Sequence, residues 1–274
     1  MVLNPVHKID KISIDSTNAI KYALSISLRI NGFCFIICDN KKVVKAANYI
    51  WQAKGNFFAN TNVQSIISSE KLLKNKYKSI AIFFENEYTT LIPSEYYSAI
   101  NQQSALDIYL GNKSFVANAQ KLKKEEAYLV FGIEKTLLNT LKKQFFGAKY
   151  YHHSAFAINN ALDNKATTPI ISLRIGQNSF EIIASDKGKL LAHNNFDFKT
   201  IDEFLFLLLS FVKQQGFDIS EIELNITGQL LMTSEIGKKL KLYFANIKEA
   251  NPLQLSKEEA PFSNIINNSL SANN

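Results

Sequence analysis

The sequence predicts an α/β protein made of two related halves, and three observations carry that prediction. The string Ile-Ser-Leu-Arg-Ile occurs twice, at Ile26–Ile30 and Ile171–Ile175, and at this offset of 145 residues Phe35 also meets Phe180 and Ile37 meets Ile182. A two-residue shift then aligns Asp39 with Asp186, Lys42 with Lys189 and Asn48 with Asn195. After each copy the same order of patterns follows: alternating strands, then a stretch of helical period, then another strand.

Each element has a local reason. In the first strand of copy one, Ile26, Leu28 and Ile30 face one way while Ser27 and Arg29 face the other. Asn31-Gly32 in copy one and Gly176-Gln177-Asn178 in copy two are hairpin signals leading into a second strand, and a short turn leads to a third. A helix is expected over Asn62–Tyr77 in copy one and Thr200–Gly216 in copy two. The latter carries a capping box, Thr200 with Glu203, and Gly216 as its stop. Strands return at Ser79–Phe84 and Glu221–Thr227. Further elements are expected at Ala127–Ile133 (strand), Glu134–Phe146 (helix), Ala148–His153 (strand) and Ser154–Leu162 (helix).

Three antiparallel strands, a helix and a strand are the core order of the ribonuclease-H-like fold. Two such units make the actin-like architecture: two mixed sheets flanked by helices, with a cleft between them. The expected divisions are a lead-in at 1–23, a first subdomain at 24–163 with a small insertion at about 88–127, a second subdomain at 164–251, and a loose tail at 252–274. The tail is rich in Asn and Ser and shows no clear period.

Composition narrows the class. At 46% hydrophobic residues over 274 positions, the chain can bury a real core. The densest apolar run, Phe204–Val212, is too short to span a bilayer, and no apolar segment follows the basic N-terminal residues, so the protein is expected in the cytoplasm without membrane insertion. Cys34 and Cys38 lie roughly 13 Å apart along one strand, too far for a disulfide, and read as small buried hydrophobes. The net charge of +7 is mostly scattered Lys on wet helix faces, without the arginines and stacking aromatics of a nucleic-acid surface, so nucleic acid is not expected as a partner.

The stretch from Glu125 to Leu162, followed by Pro169–Gly176, resembles the middle of PilM-type pilus-assembly proteins of the actin-like superfamily. Over nearly its full length the chain resembles more closely a bacterial family, domain of unknown function 3822, through the Ile26–Phe35 hairpin, the central Thr-Thr-Leu-Ile-Pro and the Asn225–Leu230 string. That family carries no activity to inherit. The actin-like resemblance implies ATP held between two hairpins of pattern Asp-x-Gly, the Asp serving the metal, and a Gly-Gly after the last core strand. Here the first hairpin reads Arg29, Ile30, Asn31, Gly32, the second Arg174, Ile175, Gly176, and the last strand ends in Gly228-Gln229. With an arginine at each aspartate position, the motifs support neither ATP nor magnesium as a cofactor. A two-metal nuclease fails because its first strand carries Arg29, leaving Glu181 and Glu223 without a third acid.

His152 and His153 are expected on opposite faces of a strand end, where at most one could serve a given site. No Ser-x-x-Lys, nucleophile elbow or Walker loop occurs. The arginines are expected to be equivalent residues. Either they receive an anion together with Asn31, Gly32, Gly176, Gln177, Asn178, Gly228 and Gln229, or each pairs with a nearby acid such as Glu181. The expected function is therefore a non-catalytic scaffold or regulatory module binding another protein, as PilM-type proteins bind a short peptide. The alternative is a divergent phosphotransferase-like enzyme with a cationic cleft.

Overall fold

The computed structural model describes residues 3–52, 58–111, 114–163, 168–176, 179–228, 234–249 and 255–272. It divides into two compact units, one of residues 1–121, 126–156 and 255–274, the other of 122–125 and 157–254. Among the described residues no helix is long and apolar enough to cross a membrane.

In the first unit, β1 (His7–Asp10), β2 (Ala23–Arg29), β3 (Gly32–Asp39) and β4 (Lys42–Ile50) are followed by α1 (Asn60–Ser69) and β5 (Ser79–Glu85). Then come β6 (Thr89–Pro93), α2 (Asn101–Leu110), β7 (Phe115–Lys121), β8 (Ala127–Glu134), α3 (Lys135–Gln144), β9 (Lys149–His152) and α4 (His153–Leu162), which runs on into the second unit. The main sheet has the order β1-β4-β3-β2-β5-β9. Leu24, Ile26 and Leu28 point from β2 into a core shared with Phe33, Phe35, Ile82 and Phe84. That core is closed by Val63 and Ile66 of α1 and by Leu137, Leu138 and Leu141 of α3, apolar residues at helical spacing.

The insertion folds as a three-stranded sheet, β6-β8-β7, with its own small core of Ile92, Leu106, Phe115, Ala117 and Val130. β8, expected outside the insertion, is the central strand of this sheet. Its Val130 faces the insertion's core while Phe131 and Ile133 face the main one, which explains why the strand is apolar on both faces.

In the second unit, β10 (Ile170–Ile175), β11 (Ser179–Asp186), β12 (Lys189–Asp197), α5 (Ile201–Gln214), β13 (Glu223–Gly228), α6 (Glu235–Tyr243) and β14 (Asn246–Glu249) form a sheet of order β12-β11-β10-β13-β14. Its core packs Leu173, Phe180, Ile182, Leu224 and Ile226 against Phe204, Leu208 and Phe211 of α5. Glu203 N donates to Thr200 Oγ1 at 3.1 Å, and Gly216 stands at φ +73° beyond the helix end, as the capping box and stop require.

Two expectations need correction. The lead-in carries an edge strand, β1, paired antiparallel with β4. The C-terminal stretch is not loose over Ser263–Ala272: it forms α7 and belongs to the first unit. Phe262, Ile265, Ile266 and Ser269 are buried at helical spacing, and Ser269 Oγ lies 2.9 Å from Ser25 Oγ on β2. The helix meets a polar sheet face, so its own packing face is partly polar and its period is muted.

Candidate functional site

Each main sheet has an apolar face under helices and a second face carrying polar residues of its first strand. In the first unit that face presents Ser25, Ser27 and Arg29 from β2. Ser27 Oγ donates to Glu85 Oε1 at 2.6 Å, and Arg29 Nη2 donates to Asn48 Oδ1 at 2.6 Å. Arg29 Nε is buried with no hydrogen-bond partner among the described residues. The guanidinium lies over Gly32, where a Cβ would stand 2.8 Å from Arg29 Nη2 and 2.9 Å from the Tyr49 carbonyl oxygen. Glycine is therefore required by close approach. Trp51 clamps the turn: its Nε1 donates to the Ile30 carbonyl and its backbone N–H to the Asn31 carbonyl, both at 2.9 Å.

In the second unit the polar face holds a buried carboxylate. Glu181, its side chain only 1% exposed, accepts from Arg174 Nε at 3.1 Å and lies 3.0 Å from His193 Nε2. Of the two expected roles for Arg174, the pairing with Glu181 is present; a buried acid without such partners would be costly. Gly176 N donates to the Ser179 carbonyl, closing the second hairpin, and Gly228 pairs with Ile175 across β10 and β13. Gln177, Asn178 and Gln229 lie outside the described residues.

Register shows that the arginines are not equivalent. The hairpins close at Arg29/Gly32 and Gly176/Ser179, the third strands bulge opposite Ile37/Cys38 and Ala184/Ser185, and the next turns are flanked by Asp39/Lys42 and Asp186/Lys189. All three landmarks repeat at 147 residues, whereas the five-letter string repeats at 145. Arg174, opposite Glu181, therefore corresponds to Ser27, opposite Cys34, and Arg29 corresponds to Gly176. A slip of two keeps every side chain on its face, so the string kept its apolar and polar sides while changing its distance from the turn.

His152 and His153 also depart from expectation. The strand ends at the first and a helix starts at the second, so both rings turn inward and pack with centroids 4.6 Å apart. His152 Nε2 donates to the Asn86 carbonyl and His153 Nδ1 to the Phe84 carbonyl, both at 3.1 Å, in a buried setting that serves packing. Burial pushes the Cys34 thiol up to about 12 and the Cys38 thiol up to about 11, which keeps both protonated and unreactive. Among the described residues no three His, Cys, Asp or Glu side chains are grouped to hold a metal.

Residues 11–247 match the family described as protein of unknown function (DUF3822). The chain belongs to that family. Among solved structures it is similar to a Bacteroides thetaiotaomicron protein with actin-like ATPase fold and unknown function, at 21% identity over 92% of this chain and 99% of that one, with a TM-score of 0.78. It is also similar to a chain of a PilM–PilN type IV pilus biogenesis complex, at 10% identity over 92% of this chain and 98% of that one, with a TM-score of 0.58. No curated protein matches. This DUF3822 protein thus has the actin-like ATPase fold, which its repeated strand order and duplicated hairpins anticipate.

Proposed function

We propose that this DUF3822 protein is a non-catalytic, actin-like scaffold or regulatory module that binds another protein. The observation that carries the reading is the ion pair between Arg174 and Glu181. At the Arg-x-Gly of the second hairpin, where the resemblance puts a metal-serving aspartate, a guanidinium is tied to a buried carboxylate of the same sheet. The corresponding place in the first hairpin is Ser27, bonded to Glu85. A divalent cation would meet a positive charge at one hairpin and a hydroxyl already engaged at the other. The neighbour that forms a PilM–PilN complex supports a protein as the partner.

A second reading, a nucleotide- or phosphate-binding enzyme of phosphotransferase type, is favoured by one observation: the buried Nε of Arg29, without a hydrogen-bond partner among the described residues, beside Asn31 and Gly32. In the first unit the residues it would use are Arg29, Asn31 and Gly32. Calorimetry with ATP, ADP and inorganic phosphate, with and without magnesium, separates the two. The scaffold reading expects no heat beyond dilution, no ATP turnover, and identical traces for parent and Arg29→Ala/Arg174→Ala. Magnesium-dependent binding with phosphate release, lost in the variant, would establish the enzyme instead.

A further inference from the structure

Among the described residues, one end of the first unit collects lysines without ion-pair partners. In the main sheet β2, β5 and β9 run parallel and start at that end, where the β3–β4 turn also lies: Ala23 pairs with Ser79 and Cys38, and Ala81 with Lys149. The hairpin at Arg29/Gly32 is at the other end, about 20 Å away along β2. Lys21 precedes β2, Lys41 and Lys42 stand at the β3–β4 turn, Lys76 and Lys78 lead into β5, and Lys149 opens β9; all are exposed. Two further segments join them. α3 ends there with exposed Lys142 and Lys143, and Gln144 Nε2 donates to the Leu73 carbonyl at 3.0 Å, which holds the 3-10 turn Lys71–Lys74 beside the helix end. Segments 15–22, 39–42, 70–78 and 142–150 thus carry ten lysines against three acids, Asp15, Asp39 and Glu70. Two of those acids are already engaged, Asp15 by Thr17 and Glu70 by Tyr49 Oη. None of the ten lysines forms an ion pair among the described residues, whereas Lys11, Lys45, Lys239 and Lys248 do.

Phe146 projects among these charges. It follows the buried Phe145 in the turn from α3 to β9 and is 95% exposed, and Ile20, next to Lys21, is exposed as well. At that exposure Phe146 has no groove wall beside it to hold a peptide. The four segments hold no arginine, and a single bare ring is not a platform for stacked bases, which argues against nucleic acid. The combination fits a bilayer with acidic headgroups: lysines gather at the negative surface while an aromatic side chain enters the boundary between headgroups and acyl chains. We infer that this end of the first unit is a peripheral membrane-binding surface, with Phe146 seated at that boundary and the surrounding lysines on anionic lipids. The inference is independent of whether the protein binds nucleotide or another protein, since the hairpin lies at the opposite end of the sheet.

The test is sedimentation of the full chain with vesicles of phosphatidylcholine, alone or with phosphatidylserine at about one lipid in three. The parent is expected to bind the acidic vesicles and not the neutral ones, and to be released by about 0.5 M salt. Lys142→Glu/Lys143→Glu and, off the helix, Lys76→Glu/Lys78→Glu should each weaken binding at least about tenfold. Lys238→Glu/Lys241→Glu, at exposed positions on α6 of the other unit, changes the net charge equally and should leave binding within about threefold. Phe146→Ser should weaken it by about three- to tenfold, and Phe146→Trp should add emission that moves to the blue on acidic vesicles. Thermal melts by circular dichroism establish that each variant is folded. A parent that ignores acidic vesicles overturns the proposal, as does one that binds a DNA duplex or polyglutamate instead. So does equal weakening by the α6 variant and the two others, which would show attraction to net charge alone.

Discussion

The two hairpin units are built to one plan and finished differently. In the first, an N-terminal strand closes the sheet edge and the C-terminal helix α7 covers its polar face, so both chain ends are spent on that unit. The second satisfies its polar face from within, through Glu181, Arg174 and His193, and leaves its β12 edge without a strand among the described residues. The difference teaches that a duplicated fold keeps strand order and register while the polar faces and edges are free to change. Any inherited chemistry at the hairpins has to be judged unit by unit.

The largest effect is expected at α7. Truncation after residue 254 strips Phe262, Ile265 and Ile266 from the first unit, and three such buried side chains contribute roughly 5 kcal/mol or more. The single tryptophan, Trp51, sits at the first hairpin and reports on that unit alone. Its emission should move to the red and its urea midpoint should fall sharply in the truncated chain. Unchanged emission and midpoint would mean that α7 adds nothing to the first unit and that this contrast between the units has no energetic content.

Next comes the buried carboxylate. Glu181→Leu removes the acid that both Arg174 and His193 hold, and should cost about 3–5 kcal/mol in urea unfolding followed by circular dichroism. The matching change in the first unit, Asn48→Ala, takes a neutral acceptor from Arg29 and should cost about 1–3 kcal/mol. Equal losses would erase the contrast between an ionic and a neutral solution to the same sheet face.

Smaller still is the contrast between the hairpin glycines. Gly32→Ala drives a methyl against the Tyr49 carbonyl and the Arg29 guanidinium and should cost about 1–3 kcal/mol, because the carbonyl belongs to the paired strand and cannot retreat. Gly176→Ala meets, among the described residues, the Ser179 carbonyl at 3.2 Å and Ser179 Oγ at 3.6 Å and should cost less than about 1 kcal/mol, both read from thermal midpoints. Reversed costs would show that the Tyr49 carbonyl does not confine the first turn as its distance implies.

How far these features could be read from the sequence depends on what fixes them. Helix α5 was legible to its ends because cap, apolar stripe and stop glycine are all local. Helix α7 was obscured by Asn268 and Ser269 on its buried side, and the paired histidines by a strand-to-helix junction that a two-residue period cannot register. The supposed equivalence of Arg29 and Arg174 failed for a deeper reason. A repeated five-letter string reports which face is apolar, whereas register is set by turns and bulges several residues away. The correct offset was present in the Asp39/Asp186 and Asn48/Asn195 matches, which identify the true partners of the polar faces. His193 as a partner of Glu181 was not legible, since the two lie on neighbouring strands and meet diagonally across the β11–β12 pairing.

The smallest effect concerns the helices that follow the third strands. α5 begins at Thr200, whose hydroxyl accepts from Glu203 N, while the Glu203 carboxylate accepts from Lys199 N at 2.8 Å. α1 begins at Ala59, with no side-chain cap, and runs for 10 residues against 14 in α5. Thr200→Ala should therefore lower stability by about 1 kcal/mol, whereas Ala59→Ser should raise it by about 0.5 kcal/mol by supplying an oxygen to a first-turn N–H. Opposite signs in the thermal midpoints are the expected result. A loss in both would show that the backbone at Ala59, at φ −76° and ψ 78°, is too far from the extended cap conformation for a serine to help, and that the missing cap of the first unit is a matter of geometry rather than of sequence.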